Sequence, residues 1–89
     1  METDRDLVQF YNNLTPRKRE VLQWALQGWS NSEIAARLVI QPCVVMEHLS
    51  DIYGNLGTLD RFADRHPNRV MMMAMFAGFF ERHPDLAVR

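Results

Sequence analysis

Two places in this sequence carry side chains that could do chemistry: the basic run Arg17, Lys18, Arg19, and the stretch QPCVVMEHLSDIYGNLG at 41–57, which has no Lys or Arg and carries Glu47 and Asp51. Clustered cations suit contact with phosphate, and they suit an ordinary solvated helix face equally well. Cys43 falls in the first turn of the helix expected at 42–57, where the positive dipole end favours a thiolate. Reactive thiols also need basic neighbours, so a small tolerated side chain is the better reading. His48 has no acid or Cys at ligand spacing, which makes it a hydrogen-bonding residue at a helix border rather than a metal ligand. No Gly-rich phosphate loop, no nucleophile beside a base and no paired carboxylates in a pocket pattern are visible. The residues therefore call for no enzyme, no cofactor and no metal.

The elements that must position these side chains read as all-α. Thr3 can cap a short first helix whose Leu7, Val8, Phe10 and Tyr11 form one apolar face, an N-terminal brace over residues 1–13. In LTPRKREVLQWALQG, Thr15 suits an N-cap, Pro16 the first helical position and Gly28 a left-handed stop, with Val21, Leu22, Ala25 and Leu26 facing the core. Ser30 with Glu33 three residues on is a capping box, and it starts a short helix that ends near Leu38 with Ile34, Ala35 and Leu38 inward. A longer helix follows from Pro42 to Gly57. Its Val45, Leu49, Ile52 and Leu56 repeat at helical spacing as the buried stripe, while Cys43, Met46, Glu47, Ser50, Asp51 and Gly54 point away. Residues 14–57 thus form a helix-turn-helix core, and 58–89 supply a connection, with one helical turn from Arg61, and a last helix. That helix is expected from Pro67 to about Arg82, about 24 Å at about 1.5 Å per residue. The tail after it is expected to fray.

The totals bound the size and the partners. Eighty-nine residues at 47% hydrophobic are enough for one stand-alone helical domain with no large catalytic cleft. A formal net charge of −1 gives no global attraction to nucleic acid. One cysteine excludes an internal disulfide, and the acidic N-terminus lacks a signal pattern. The most apolar run, 70–80, falls short of the roughly 20 residues a membrane span needs. A soluble cytoplasmic protein with no membrane contact is the expectation.

The run LTPRKREVLQWALQGWSNSEIAARLVIQP followed by VVMEHLSDIYGNLG resembles the DNA-binding domain of LuxR/FixJ-type (GerE-type) transcription factors, over about residues 14–57. The matches include Leu14, Thr15, Arg17, Glu20, Gly28, Ser30, Asn31, Glu33, Ile34, Pro42, Val45, His48, Ile52, Leu56 and Gly57. The resemblance implies a four-helix domain, here with an extra N-terminal helix and a long apolar C-terminal helix. Its third family helix enters the major groove and its fourth often makes the dimer contact. Phosphate contacts would come from Ser30 and Asn31, with Arg17, Lys18 and Arg19 as DNA-binding candidates that suit a solvated helix face equally well. Base contacts would come from the outward face of that third helix, Cys43, Met46, Glu47, Ser50, Asp51 and Gly54, with Gln41 and Val44 at its start as further DNA-binding candidates and His48 at a family position near the DNA backbone. The family usually has Ser before Pro42, Thr at the place of Val44 and Lys at the place of Met46, and often basic residues near Gly54 and Asn55. Lys18 stands where its first capping box has Glu.

Local charge sharpens the departure. Residues 15–41 carry four cations against two acids, whereas 42–57 carry Glu47 and Asp51 alone. An acid can accept a hydrogen bond from the cytosine amino group, so Glu47 can be specific without attracting the DNA backbone. In the last helix, Val70, Met71, Met72, Met73, Met75, Phe76, Phe79 and Phe80 cover more than the usual stripe of about 100°, which predicts a homodimer or partner contact there. Two functions follow. One is a small LuxR-type regulator that binds DNA as a dimer. The other is a helix-turn-helix protein with lost or weakened DNA binding that acts on a protein partner, for example by pairing with a DNA-binding regulator.

Overall fold

A computed structural model describes residues 2–59 and 67–86, with α1 at Glu2–Asn12, α2 at Pro16–Leu26, α3 at Asn31–Leu38, α4 at Pro42–Leu56, α5 at Arg69–Met75 and α6 at Phe79–Arg82. A single 3-10 turn, Pro84–Leu86, closes the described chain. Among the described residues there is no strand. The helical turn expected at Arg61 lies outside the described residues.

Capping residues set the boundaries of the central helices. The Thr15 hydroxyl accepts from the Lys18 N–H at 3.4 Å, and Pro16 occupies the first helical position, where its missing donor costs nothing. Gly28, at φ 90, provides the left-handed residue just beyond the end of α2. At α3 the capping box is complete, with Ser30 N–H donating to Glu33 Oε1 at 2.8 Å and Glu33 N–H donating to Ser30 Oγ at 3.1 Å. The turn between α3 and α4 holds an unexpected residue. Val39 adopts φ 57, ψ 50, and its side chain is 89% exposed, so a β-branched residue sits in left-handed space with no packing to offset the strain.

The core is where the periodicity places it. Val45, Leu49, Ile52 and Leu56 of α4 are buried against Val21, Leu22 and Ala25 of α2 and Ile34 and Ala35 of α3. Small Ala25 and Ala35 permit close helix approach. Leu26 and Leu38, expected inward, are only half-buried. Leu7, Phe10 and Tyr11 of α1 are buried at helical spacing, so the first helix braces the core as expected. Its start differs: α1 begins at Glu2, which puts Thr3 inside the helix rather than at its cap. At its other end, Arg19 of α2 donates from Nε to the Tyr11 carbonyl at 3.2 Å and from Nη2 to the Asn12 carbonyl at 2.6 Å. A cation on the last carbonyls both satisfies orphan acceptors and complements the helix dipole.

The long C-terminal helix is not present. Asn68, not Pro67, caps the segment, its side chain accepting from Met71 N–H at 2.9 Å, and α5 ends at Met75. Gly78 at φ 73 turns the chain before α6, and Arg82 Nη1 donates to the Ala77 carbonyl across that turn at 3.2 Å. The break has a packing cause. Folding back brings Phe76 to 6.0 Å from Phe10, Phe79 to 5.7 Å from Tyr11 and Phe80 to 5.5 Å from Tyr11 between ring centroids. Within the tail that was expected to fray, Pro84–Leu86 form a 3-10 turn, and the Leu86 carbonyl accepts from the Tyr11 hydroxyl at 2.8 Å.

Candidate functional site

The second helix of the helix-turn-helix presents a continuous exposed strip. Cys43, Glu47, Ser50 and Gly54 lie along its centre, with Met46 on one flank and Asp51 on the other, an arc of about 140° at about 100° per residue. Gln41, at the N-cap, is exposed and makes no capping hydrogen bond through its side chain. Val44 and His48 are half-buried at the border of the strip, and among the described residues His48 makes no hydrogen bond. The structure therefore brings together the nine DNA-binding candidates of residues 41–54 on or beside one face of α4. Pro42 at the first helical position and the buried Val45–Leu49–Ile52–Leu56 stripe fix the rotation of that face.

The phosphate candidates are not assembled into one basic surface. Arg17 stands 4.0 Å from Glu20 Oε2, and Lys18 Nζ reaches Asp51 Oδ2 at 3.6 Å, tying the start of α2 to the strip on α4. Both pairs are solvated and weak as stabilisers. Their effect on the field is larger, because each cation is offset by an acid beside it. Arg19 points the other way, onto the end of α1. At the start of α3, Ser30 is committed to the capping box, and the backbone N–H and hydroxyl of Ser30 hold the Glu33 carboxyl below its usual range. The positive end of α3 thus already faces a carboxylate. Asn31 Oδ1 accepts from Arg69 Nη1 at 3.1 Å.

Four residues that sequence reasoning did not single out shape this region. Arg69 of α5 donates to the Trp29 carbonyl and to Asn31, clasping the α2–α3 turn. Trp24 and Trp29 stack at 4.7 Å, and the Arg37 guanidinium lies 4.8 Å above the Trp24 ring. Arg37 belongs to the exposed side of α3, and its guanidinium is held over the indole faces of Trp24 and Trp29. Nothing in local spacing signals the Arg69 contacts, which join residues 38 and 40 positions apart.

The residues expected at a dimer contact divide. Met72, Phe76 and Phe79 are buried in the chain's own core; Met71, Met73, Met75 and Phe80 are half-buried; Val70 is 75% exposed. Among the described residues, no group of three or more metal-ligating side chains occurs, and no helix is long and apolar enough to cross a membrane.

A short helix, a tight turn and a longer helix with an exposed outer face define a helix-turn-helix domain. Residues 12–63, well over half of the chain, match the luxR family of bacterial regulatory proteins (GerE), and the chain belongs to that family. A Mycobacterium bovis protein named "Putative HTH-type transcriptional regulator" is 39% identical over 51 residues, covering 57% of this chain and 6% of the relative. "Probable transcriptional regulatory protein SgaR" of Hyphomicrobium methylovorum is 43% identical over 49 residues, 55% of this chain and 23% of its own. "Transcriptional activator protein BjaR1" of Bradyrhizobium diazoefficiens is 46% identical over 48 residues, 54% of this chain and 20% of its own. The chain therefore spans less than a quarter of each of these relatives. No solved structure matches it significantly.

Proposed function

We propose that this protein regulates transcription by binding DNA as a dimer, with α4 in the major groove and no catalytic activity of its own. The observation that carries the reading is the intact α3–turn–α4 unit, whose exposed strip is held at a fixed rotation by four buried side chains. Membership of the luxR family and the names of the relatives support it. Of the residues expected at a dimer contact, Val70 on α5 is the one most available to a second copy.

Binding of this kind differs from that of a cation-rich recognition helix. Each phosphate neutralised by Lys or Arg contributes about −0.9 to the slope of log affinity against log salt, and the strip on α4 supplies none. Anisotropy titration of duplex DNA should give saturable binding below about 50 mM salt with a shallow salt slope. Met46→Lys should tighten binding severalfold and steepen the slope by about 1. A folded protein with no saturable binding at low salt would refute the reading.

One observation favours a second reading. Glu47 and Asp51 make the strip acidic, and Lys18 beside it is already engaged by Asp51. Such a face suits a basic protein surface. A protein partner retained by wild type and lost by Glu47→Lys, with no duplex binding by either, would support this reading over the first.

A further inference from the structure

Asp51 and Glu47 are not equivalent. The Asp51 carboxylate lies 3.6 Å from Lys18 Nζ, so its charge is directed at the scaffold, whereas Glu47 has no cation within ion-pair distance among the described residues. Glu47 stands at the centre of the strip between two short side chains, Cys43 one turn before it and Ser50 one turn after it. It is consequently the longest polar side chain on the midline of α4. Met46, 57% exposed, flanks it with an apolar surface.

We propose that Glu47 is the specificity-determining residue of the interface and selects a cytosine through its exocyclic amino group. The proposal rests on the reading of α4 as a major-groove helix. A carboxylate only accepts hydrogen bonds, so it is repelled by phosphates and by the acceptor edges of guanine (O6, N7) and thymine (O4). Two amino groups remain in the major groove, N4 of cytosine and N6 of adenine. Adenine N6 adjoins the N7 acceptor, which opposes the second carboxylate oxygen; cytosine N4 adjoins C5–H, which does not. Cytosine is the base left. The same charge weakens binding wherever no amino group meets it, so discrimination arises partly from repulsion of wrong sites.

Enrichment of random duplexes by the whole chain at low salt, followed by sequencing, tests this. Wild type should select cytosine at one position per half-site. Glu47→Gln should move that position to adenine, because an amide both accepts from N6 and donates to N7, and Glu47→Ala should erase the preference there while neighbouring positions keep theirs. In anisotropy titrations, replacing that cytosine by thymine should weaken wild type about tenfold, with little effect on Glu47→Ala. Glu47→Ala should bind unselected duplex more tightly than wild type. An identical enriched motif for all three proteins would overturn the role of Glu47 while leaving α4 as the binding helix. Wild type that enriches no duplex would overturn both.

Discussion

At the scale of single residues, side chains that recur at helical spacing behave as the pattern predicts, and those with a charge or an unusual backbone are decided by distant neighbours. Arg17, Lys18 and Arg19 illustrate the second case. Adjacent in sequence, they meet Glu20, Asp51 and the end of α1, respectively, because successive helical positions turn by about 100°. A run of cations in a helix is therefore not a patch. Val39 is the plainest strain in the molecule, a β-branched residue at φ 57 with an exposed side chain. Replacing it with Asn, which tolerates that region, should raise stability by about 1 kcal/mol in urea denaturation, since no packing is lost. A neutral or lower value would mean that Val39 packs on something outside its own chain.

At the scale of elements, the sequence made α2, α3 and α4 legible because caps and periodicity are local: Thr15 with Pro16, Ser30 with Glu33, and Pro42 followed by a four-residue apolar stripe. The exposed candidates on α4 were legible for the same reason. The last helix was not. Its apolar residues at 70–80 fit a continuous helix by composition, whereas the chain leaves the helix after Met75 and turns at Gly78, at φ 73, with Phe76, Phe79 and Phe80 packed on Phe10 and Tyr11, far away in the chain. Once broken, it buries Met72, Phe76 and Phe79 within the chain and leaves Val70 exposed. Gly78→Ala tests that account. The left-handed backbone costs a residue with a Cβ about 1–2 kcal/mol, and the new Cβ would stand 3.0 Å from Arg82 Nη1. Thermal unfolding should register a loss of that size. An unchanged midpoint would mean that α5 and α6 readily join into one helix.

At the scale of the whole molecule, two long-range ties close the fold: Arg69 onto the α2–α3 turn, and Tyr11 onto Leu86 with its aromatic neighbours. The second has a pH signature. Burial raises the Tyr11 pKa above 10.0, only partly offset by the nearby Arg19 cation, so the folded state holds this proton more tightly than the unfolded chain. The contribution is fully present below pH 10 and is lost as pH rises through the folded value. Tyr53 is raised in the same sense, by burial, with Arg69 lowering it. Stability should thus fall above about pH 10. Tyr11→Phe should lose about 1 kcal/mol at pH 7, with the hydroxyl bond to Leu86, and should show a smaller alkaline decline than wild type. An undiminished decline in Tyr11→Phe would assign it to other groups.

The fold thus presents a helix whose exposed face is fixed by a buried stripe and is without Lys or Arg, and we propose that this face meets DNA. Amide chemical-shift mapping of the whole chain against a duplex at low salt tests that claim most directly. The account predicts that the largest perturbations fall on Cys43, Met46, Glu47, Ser50 and Gly54, with smaller ones at the start of α3. Saturable perturbations confined to α1, α5 or α6, with α4 unmoved, would contradict it.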